Sequence, residues 1–225
     1  MKRRAFKQAQ NLIRAGAISF EAMLSLIRDA RAPTDVRATA SWFAGRLGKK
    51  SAAGALLSAM GSGETRLIWE AASGLACLGA KRSRGPLIKE LKHGKQADLR
   101  AAAAYALGYI GGVGVTAALL TALGDNREPE PVRAYAAEAL GNIRDASACR
   151  GLVRALSDAS AQVRFWSCFA LGQVGCQGAL RQLRRIAATD HDEVPGWWSV
   201  SKEASDAINQ IRRRQKSESI GRHRS

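Results

Sequence analysis

Histidine is scarce in this 225-residue chain: only His93, His191 and His223 occur, and none is followed by glutamate. A His-ligated metal centre needs several such side chains brought together, so no metal site is expected. The four cysteines, Cys77, Cys149, Cys168 and Cys176, form no Cys-x-x-Cys pair and accompany no secretory signal. They are expected to stay reduced, as small core hydrophobes of a cytoplasmic protein. No apolar run approaches the roughly 18 residues a membrane-spanning helix needs. No Gly-x-Ser-x-Gly elbow is present. The stretch Gly45 to Ser51 resembles a phosphate loop only briefly, because Phe43 stands where the first required glycine belongs and no strand precedes it. Valine and isoleucine nowhere alternate with polar residues over a long run, which removes a strand signature. These absences leave no convincing catalytic constellation and no expected cofactor.

Acid is the other shortage: 19 Asp and Glu stand against 35 Lys and Arg, a formal charge of +16. Such a surplus speaks about partners and not about fold. It is uneven, with net +8 over residues 1–50, +4 over 51–100, −1 over 101–150, +1 over 151–200 and +4 over 201–225. No apolar segment follows Met1-Lys2-Arg3-Arg4, so residues 1–17 read as a basic helix. Residues 213–225, rich in arginine and serine, read as a basic disordered tail. Hydrophobic residues make up 46% of the chain, enough for a packed core between these ends.

What fills residues 18–212 is repetition. A twelve-residue phrase recurs as Leu99–Ile110, Val132–Ile143 and Val163–Val174, with weaker copies at Val36–Leu47, Leu67–Leu78 and Val200–Ile211. Its starts are 31, 32, 33, 31 and 37 residues apart. Apolar or small residues hold phrase positions 1, 5, 8, 9 and 12, a helical period. Between copies lie apolar pairs four apart: Met23/Ile27, Leu56/Met60, Leu87/Leu91, Leu119/Leu123 and Leu152/Leu156. Each pair marks the face of a second helix. Gly48, Gly79, Gly111 and Gly175 stop the first helix type, and Asp29, Asp125 and Asp158 mark turns after the second. One such hairpin cannot bury its apolar face alone, so the chain is expected to be all-α, an α-solenoid of about six antiparallel helical hairpins.

The phrase Val-Arg-x-x-Ala-Ala-x-Ala-Leu-Gly-x-Ile resembles the HEAT-like repeats named for phycobilisome lyases. The resemblance is best at 99–110, 132–143 and 163–174 and spans roughly 18–212. It implies the fold; for function it allows scaffolds, bilin lyase-type subunits, di-iron hydroxylases and DNA glycosylases. The His-Glu pairs of the hydroxylases are missing here. A glycosylase-like reading would cast Glu70, Glu138 or Asp206 beside Trp69 and Trp166, without a family motif to support it.

By the resemblance, the phrase helices line the inner side, with positions 3, 4, 7 and 11 facing outward. Eight rings fall there: Trp42, Trp69, Tyr105, Tyr109, Tyr135, Phe165, Trp166 and Phe169. They are the expected partner-binding groove. Lys49, Lys50, Lys81, Arg82 and Arg84 lie in equivalent loops and should form one basic edge, continued by Lys89, Lys92 and Lys95. The second-position arginines Arg37, Arg100, Arg133 and Arg164 are expected to be structural. The expected function is a non-enzymatic scaffold that binds an acidic protein segment. Nucleic acid is the alternative partner.

Overall fold

The computed structural model describes residues 11–12 and 15–222, the last five by their backbone alone. It contains two compact units that divide after Gly112. Most of the basic helix expected over 1–17 lies outside the described residues. The first unit holds α1 (Phe20–Arg28), α2 (Thr34–Arg46), α3 (Ala53–Met60), α4 (Thr65–Leu78), α5 (Arg84–His93) and α6 (Ala97–Ile110). The second holds α7 (Val115–Gly124), α8 (Glu130–Ile143), α9 (Cys149–Ala155), α10 (Ala161–Val174), α11 (Leu180–Thr189) and α12 (Val200–Arg222). Among the described residues there is no strand, only a single antiparallel bridge between Glu193 and Ser199. Each unit is thus three helical hairpins, and the fold is that of an α-solenoid.

The phrase helices are the even-numbered ones. In the first unit α2 packs on α4 and α4 on α6; in the second α8 packs on α10 and α10 on α12. Each even helix also packs on the odd helix before it. The apolar pairs four apart are all buried at these contacts. Alanine makes the close stacking possible: Ala101 to Ala104 and Ala106 are all fully buried in α6. Glycine takes it further, since a Cβ on Gly45 would lie 2.2 Å from the Gly74 Cα.

Helix ends follow the sequence signals. Gly79 and Gly175 close α4 and α10 at φ 54° and 83°. Arg144 takes the same left-handed place after α8, at φ 60°, and is the one non-glycine residue with positive φ among the described residues. Asp29, Asp125 and Asp158 each accept the backbone N–H two residues on, forming the expected turns.

The second-position arginines are a ladder inside the fold. Arg37 donates to the Ile27 carbonyl at 3.1 Å and Arg100 to that of Gly94 at 2.8 Å. Arg133 grips Asp158 with two hydrogen bonds, and Arg164 grips Asp190 the same way while also reaching Asp192. Each ties the start of a phrase helix to the end of a neighbouring helix or to the turn that follows one.

Three expectations need correction. Cys149 and Cys176 form a disulfide, with Cα atoms 5.7 Å apart. Cys149 follows the 3-10 turn Ala146–Ala148 and Cys176 precedes the turn Gln177–Ala179. Stacking brings these neighbouring turns together although 27 residues separate the cysteines. Cys77 is exposed, so only the buried Cys168 acts as a core thiol. Burial pushes that thiol well above its ordinary range. Finally, α12 continues through Arg222, beyond the helix end expected before residue 213. Arginine, glutamine, lysine and glutamate are good helix formers, and no proline interrupts them.

Candidate functional site

The face available for binding is narrower than the pattern suggested. Position 3 is closed in most copies: Ala38, Ala101, Ala134 and Phe165 are at most 1% exposed. A phrase helix stacked on both sides turns chiefly positions 4, 7 and 11 outward, an arc of about 60° at 3.6 residues per turn, although Ala102 at position 4 of α6 is fully buried and Trp69 at position 3 of α4 is half-buried. Phe165 is therefore a core residue and leaves the proposed groove. The other seven rings are half-buried or exposed.

In the first unit these rings form two groups. Trp42 meets Phe43 edge-on at 4.7 Å, and the Arg46 guanidinium lies 4.8 Å over the Trp42 ring. A cavity of about 300 Å³ beside them is lined by Thr39, Trp42, Phe43, Arg66 and Glu70. Arg66 is engaged with Asp35. The second group runs from Trp69 to Tyr105 at 6.1 Å and on to Tyr109 at 5.1 Å. Tyr109 is 55% exposed.

The basic loops of this unit are equivalent 3-10 turns, Lys50–Ala52 and Lys81–Ser83. Lys49, Lys50, Lys81 and Arg82 are exposed. Lys49 lies over the Phe20 ring at 4.7 Å. Among the described residues no carboxylate pairs with Lys50, Lys81 or Arg82. Arg84 differs from this set. It donates to the Gly111 carbonyl at 2.7 Å, and its guanidinium occupies the space a Gly112 side chain would need. It braces a turn.

In the second unit the rings gather around α10. Trp166 meets Phe169 at 5.4 Å and Trp197 at 5.2 Å, both nearly edge-on. Trp197 meets Trp198 at 5.7 Å. The sequence pattern left Trp197 and Trp198 out, because they stand in the loop before α12 and outside the phrase. The available signal was the long step of 37 residues into the last copy, against 31 to 33 elsewhere. Gly196, at φ 80°, and Pro195 shape a turn in which the Trp197 N–H bonds the Val194 carbonyl at 2.9 Å.

Two carboxyl groups of this face are displaced from ordinary behaviour. Burial pushes Glu138 up to about 7, and no hydrogen bond offsets it. Burial also raises Glu203, which is 4% exposed and accepts a 2.8 Å bond from the Trp198 indole N–H. Asp206 pairs with Lys202 at 3.0 Å. Among the described residues no group of His, Cys, Asp and Glu could hold a metal ion.

A family model described as HEAT repeats matches residues 84–152 and 116–201. No curated protein sequence matches the chain. Solved structures show the same fold. The complex of CpcE and CpcF of phycocyanin lyase from Nostoc sp. PCC7120 is 19% identical, with a TM-score of 0.58 over 70% of this chain and 98% of that one. An engineered protein is 19% identical at TM-score 0.58, covering 86% and 98%. A designed armadillo repeat protein in complex with the peptide (KR)4 is 17% identical at TM-score 0.54, covering 86% and 100%.

Proposed function

The chain belongs to the HEAT repeat family, and from that premise we propose a non-enzymatic scaffold that binds a protein partner through its repeat faces. The partner of the first unit is an acidic segment. The carrying observation is the pair of equivalent turns that expose Lys49, Lys50, Lys81 and Arg82 with almost no internal carboxylate to neutralise them. The first unit holds 19 Lys and Arg against 7 acids. Trp42, Trp69, Tyr105 and Tyr109 give the same unit rings that an apolar side chain of the partner could cover. One structural neighbour holds the peptide (KR)4, which supports a polypeptide as the class of partner.

Nucleic acid is the second reading, favoured by the same unpaired cations. The two separate on salt. Phosphate binding weakens steeply as salt rises, whereas a surface that also buries rings weakens less. Affinities of the full chain for a glutamate-rich peptide and for a single-stranded oligonucleotide, each measured across a salt series, test the assignment. Changing Lys49, Lys50, Lys81 and Arg82 to Glu should abolish the peptide's binding. If only the oligonucleotide binds and responds to these changes, the second reading replaces the first.

A bilin lyase-type role receives no support from any residue of the two faces. A cytoplasmic setting remains part of the proposal, and it requires the Cys149–Cys176 bond to be sensitive to reduction there. Alkylation trapping in intact cells reads the state of both thiols. No described helix is long and apolar enough to cross a membrane.

A further inference from the structure

Residues 190–206 run against the chain's total of +16: they carry five carboxylates (Asp190, Asp192, Glu193, Glu203 and Asp206) and a single lysine. Arg164 engages Asp190 and Asp192, and Lys202 engages Asp206. That segment also carries both tryptophans that lie outside the phrase. Trp197 is 49% exposed and Trp198 38%, the largest hydrophobic side chains the second unit leaves in solvent. The loop that carries them is closed at its foot by the Glu193–Ser199 bridge and by the Val200 N–H on the Asp192 carbonyl at 3.0 Å.

The protein already shows what this surface does with a cation. The Lys202 ammonium sits 4.4 Å over the Trp198 ring and bonds the Asp206 carboxylate at 3.0 Å. An indole face and a carboxylate hold one ammonium between them, each contributing attraction that the other reinforces. Trp197 has no such occupant. Its ring stands at 76° to that of Trp166, which is itself at 85° to Phe169, so the three rings form an angled wall. The Phe169 ring lies against Gly141 of α8, one turn from Glu138. Glu138 therefore stands at the same level as the Trp166–Phe169 turn, half-buried and without a hydrogen bond.

We propose that the wall of Trp166, Phe169 and Trp197, with the carboxyl of Glu138 at its level, receives a lysine or arginine side chain of a protein partner. The inference shares with the functional reading the idea that the repeat face meets a polypeptide. It concerns the other unit and the opposite charge. Complementarity carries it: the rings present a negative face, Glu138 adds a carboxyl at their level, and the nearby cations are already engaged, Lys202 with Trp198 and Asp206 and Arg164 with Asp190 and Asp192. Glu138 fits the role for a further reason. An arriving cation would offset the cost of charging a carboxylate that burial now holds high.

The experiment uses the full chain and three labelled octapeptides with alternating glycine, the other residue being arginine, glutamine or glutamate, read by anisotropy. The arginine peptide should bind and the glutamine peptide should not. Trp197→Ala should weaken the arginine peptide by roughly 5- to 30-fold, with Trp197→Phe retaining most of the affinity. Glu138→Gln should weaken it by roughly 3- to 10-fold. Lys81→Glu with Arg82→Glu should leave it unchanged or tighter, while the same pair destroys glutamate-peptide binding. An unchanged melting temperature for Trp197→Ala, whose ring is half exposed, excludes unfolding as the cause. Equal binding of arginine and glutamine peptides, indifference to Trp197→Ala, or an oligonucleotide that binds through Trp197 would overturn the proposal. A glutamate peptide that still responds to Lys81 and Arg82 would then leave the first-unit reading standing by itself.

Discussion

Arg133 and Asp158 face each other as a bidentate pair, Nε to Oδ2 at 2.9 Å and Nη2 to Oδ1 at 2.8 Å, with side chains only 11% and 7% exposed. The same guanidinium also donates to the Glu128 carbonyl, so one side chain joins the start of α8 to the turn after α9. Arg133→Ala strands a buried carboxylate. We expect a loss of roughly 2–4 kcal/mol, read as a lowered denaturation midpoint. Arg133→Lys should recover only part of it, because an ammonium cannot make the two parallel bonds. A neutral outcome for Arg133→Ala would mean that the ladder is ornamental.

That ladder was legible in sequence because its arginine recurs at one place in the phrase, where it reaches a carbonyl in the first unit and a turn aspartate in the second. The hairpins were legible for the same reason. What escaped was whatever broke the period. Trp197 and Trp198 sit in the one long step, where no register assigns them a direction. The Cys149–Cys176 bond joins two different positions of neighbouring repeats, so no spacing rule finds it. Phe165 was misplaced because a single helix has one buried face, whereas a stacked one is covered on three sides.

The third residue of each 3-10 turn is a buried small side chain: Ala52, Ser83, Ala148 and Ala179, none more than 1% exposed. Only Ser83 carries a hydroxyl there, and it has no hydrogen-bond partner. An unpaired buried hydroxyl costs stability, and alanine fits the other three turns. Ser83→Ala should therefore stabilise the first unit by about 1 kcal/mol, visible as a higher urea midpoint with an unchanged slope. A destabilised variant would show that the hydroxyl is satisfied in solution.

Glu138 gives a pH signature. Burial raises its carboxyl from 4.5 to about 7 in the folded chain, and Tyr135, one turn earlier on α8, is itself raised by burial and by the Glu138 charge. Between those values the folded state holds a proton that the unfolded state has released. Stability from this group is thus complete below about 4.5 and is lost as pH rises through about 7. Glu138→Gln removes the titration. It should match the parent near pH 4 and exceed it by about 1–3 kcal/mol at pH 8. Parallel stability curves for the two proteins across that range would refute the assignment.

The disulfide should act on one unit alone. It joins the turns before α9 and before α11, both in the second unit, and closes a loop across 27 residues of sequence. Cross-links of that length stabilise by about 3 kcal/mol, chiefly by restricting the unfolded chain. Reduction, or Cys149→Ser, should lower the melting of the second unit. The first unit, whose exposed Cys77 has no bonded partner, should be unmoved. Hydrogen exchange separates the two: amides of α9 to α11 should lose protection on reduction while those of α2 to α4 keep theirs. The arginine-peptide affinity is the sharper readout, because Trp166 and Phe169 ride on α10, the helix that ends just before Cys176. If that helix is held by the bond, reduction weakens the peptide in step with the lost protection. If protection falls and the affinity does not, α10 is held by its packing on α8 and α12 instead, and the bond is a staple for the odd-numbered helices only.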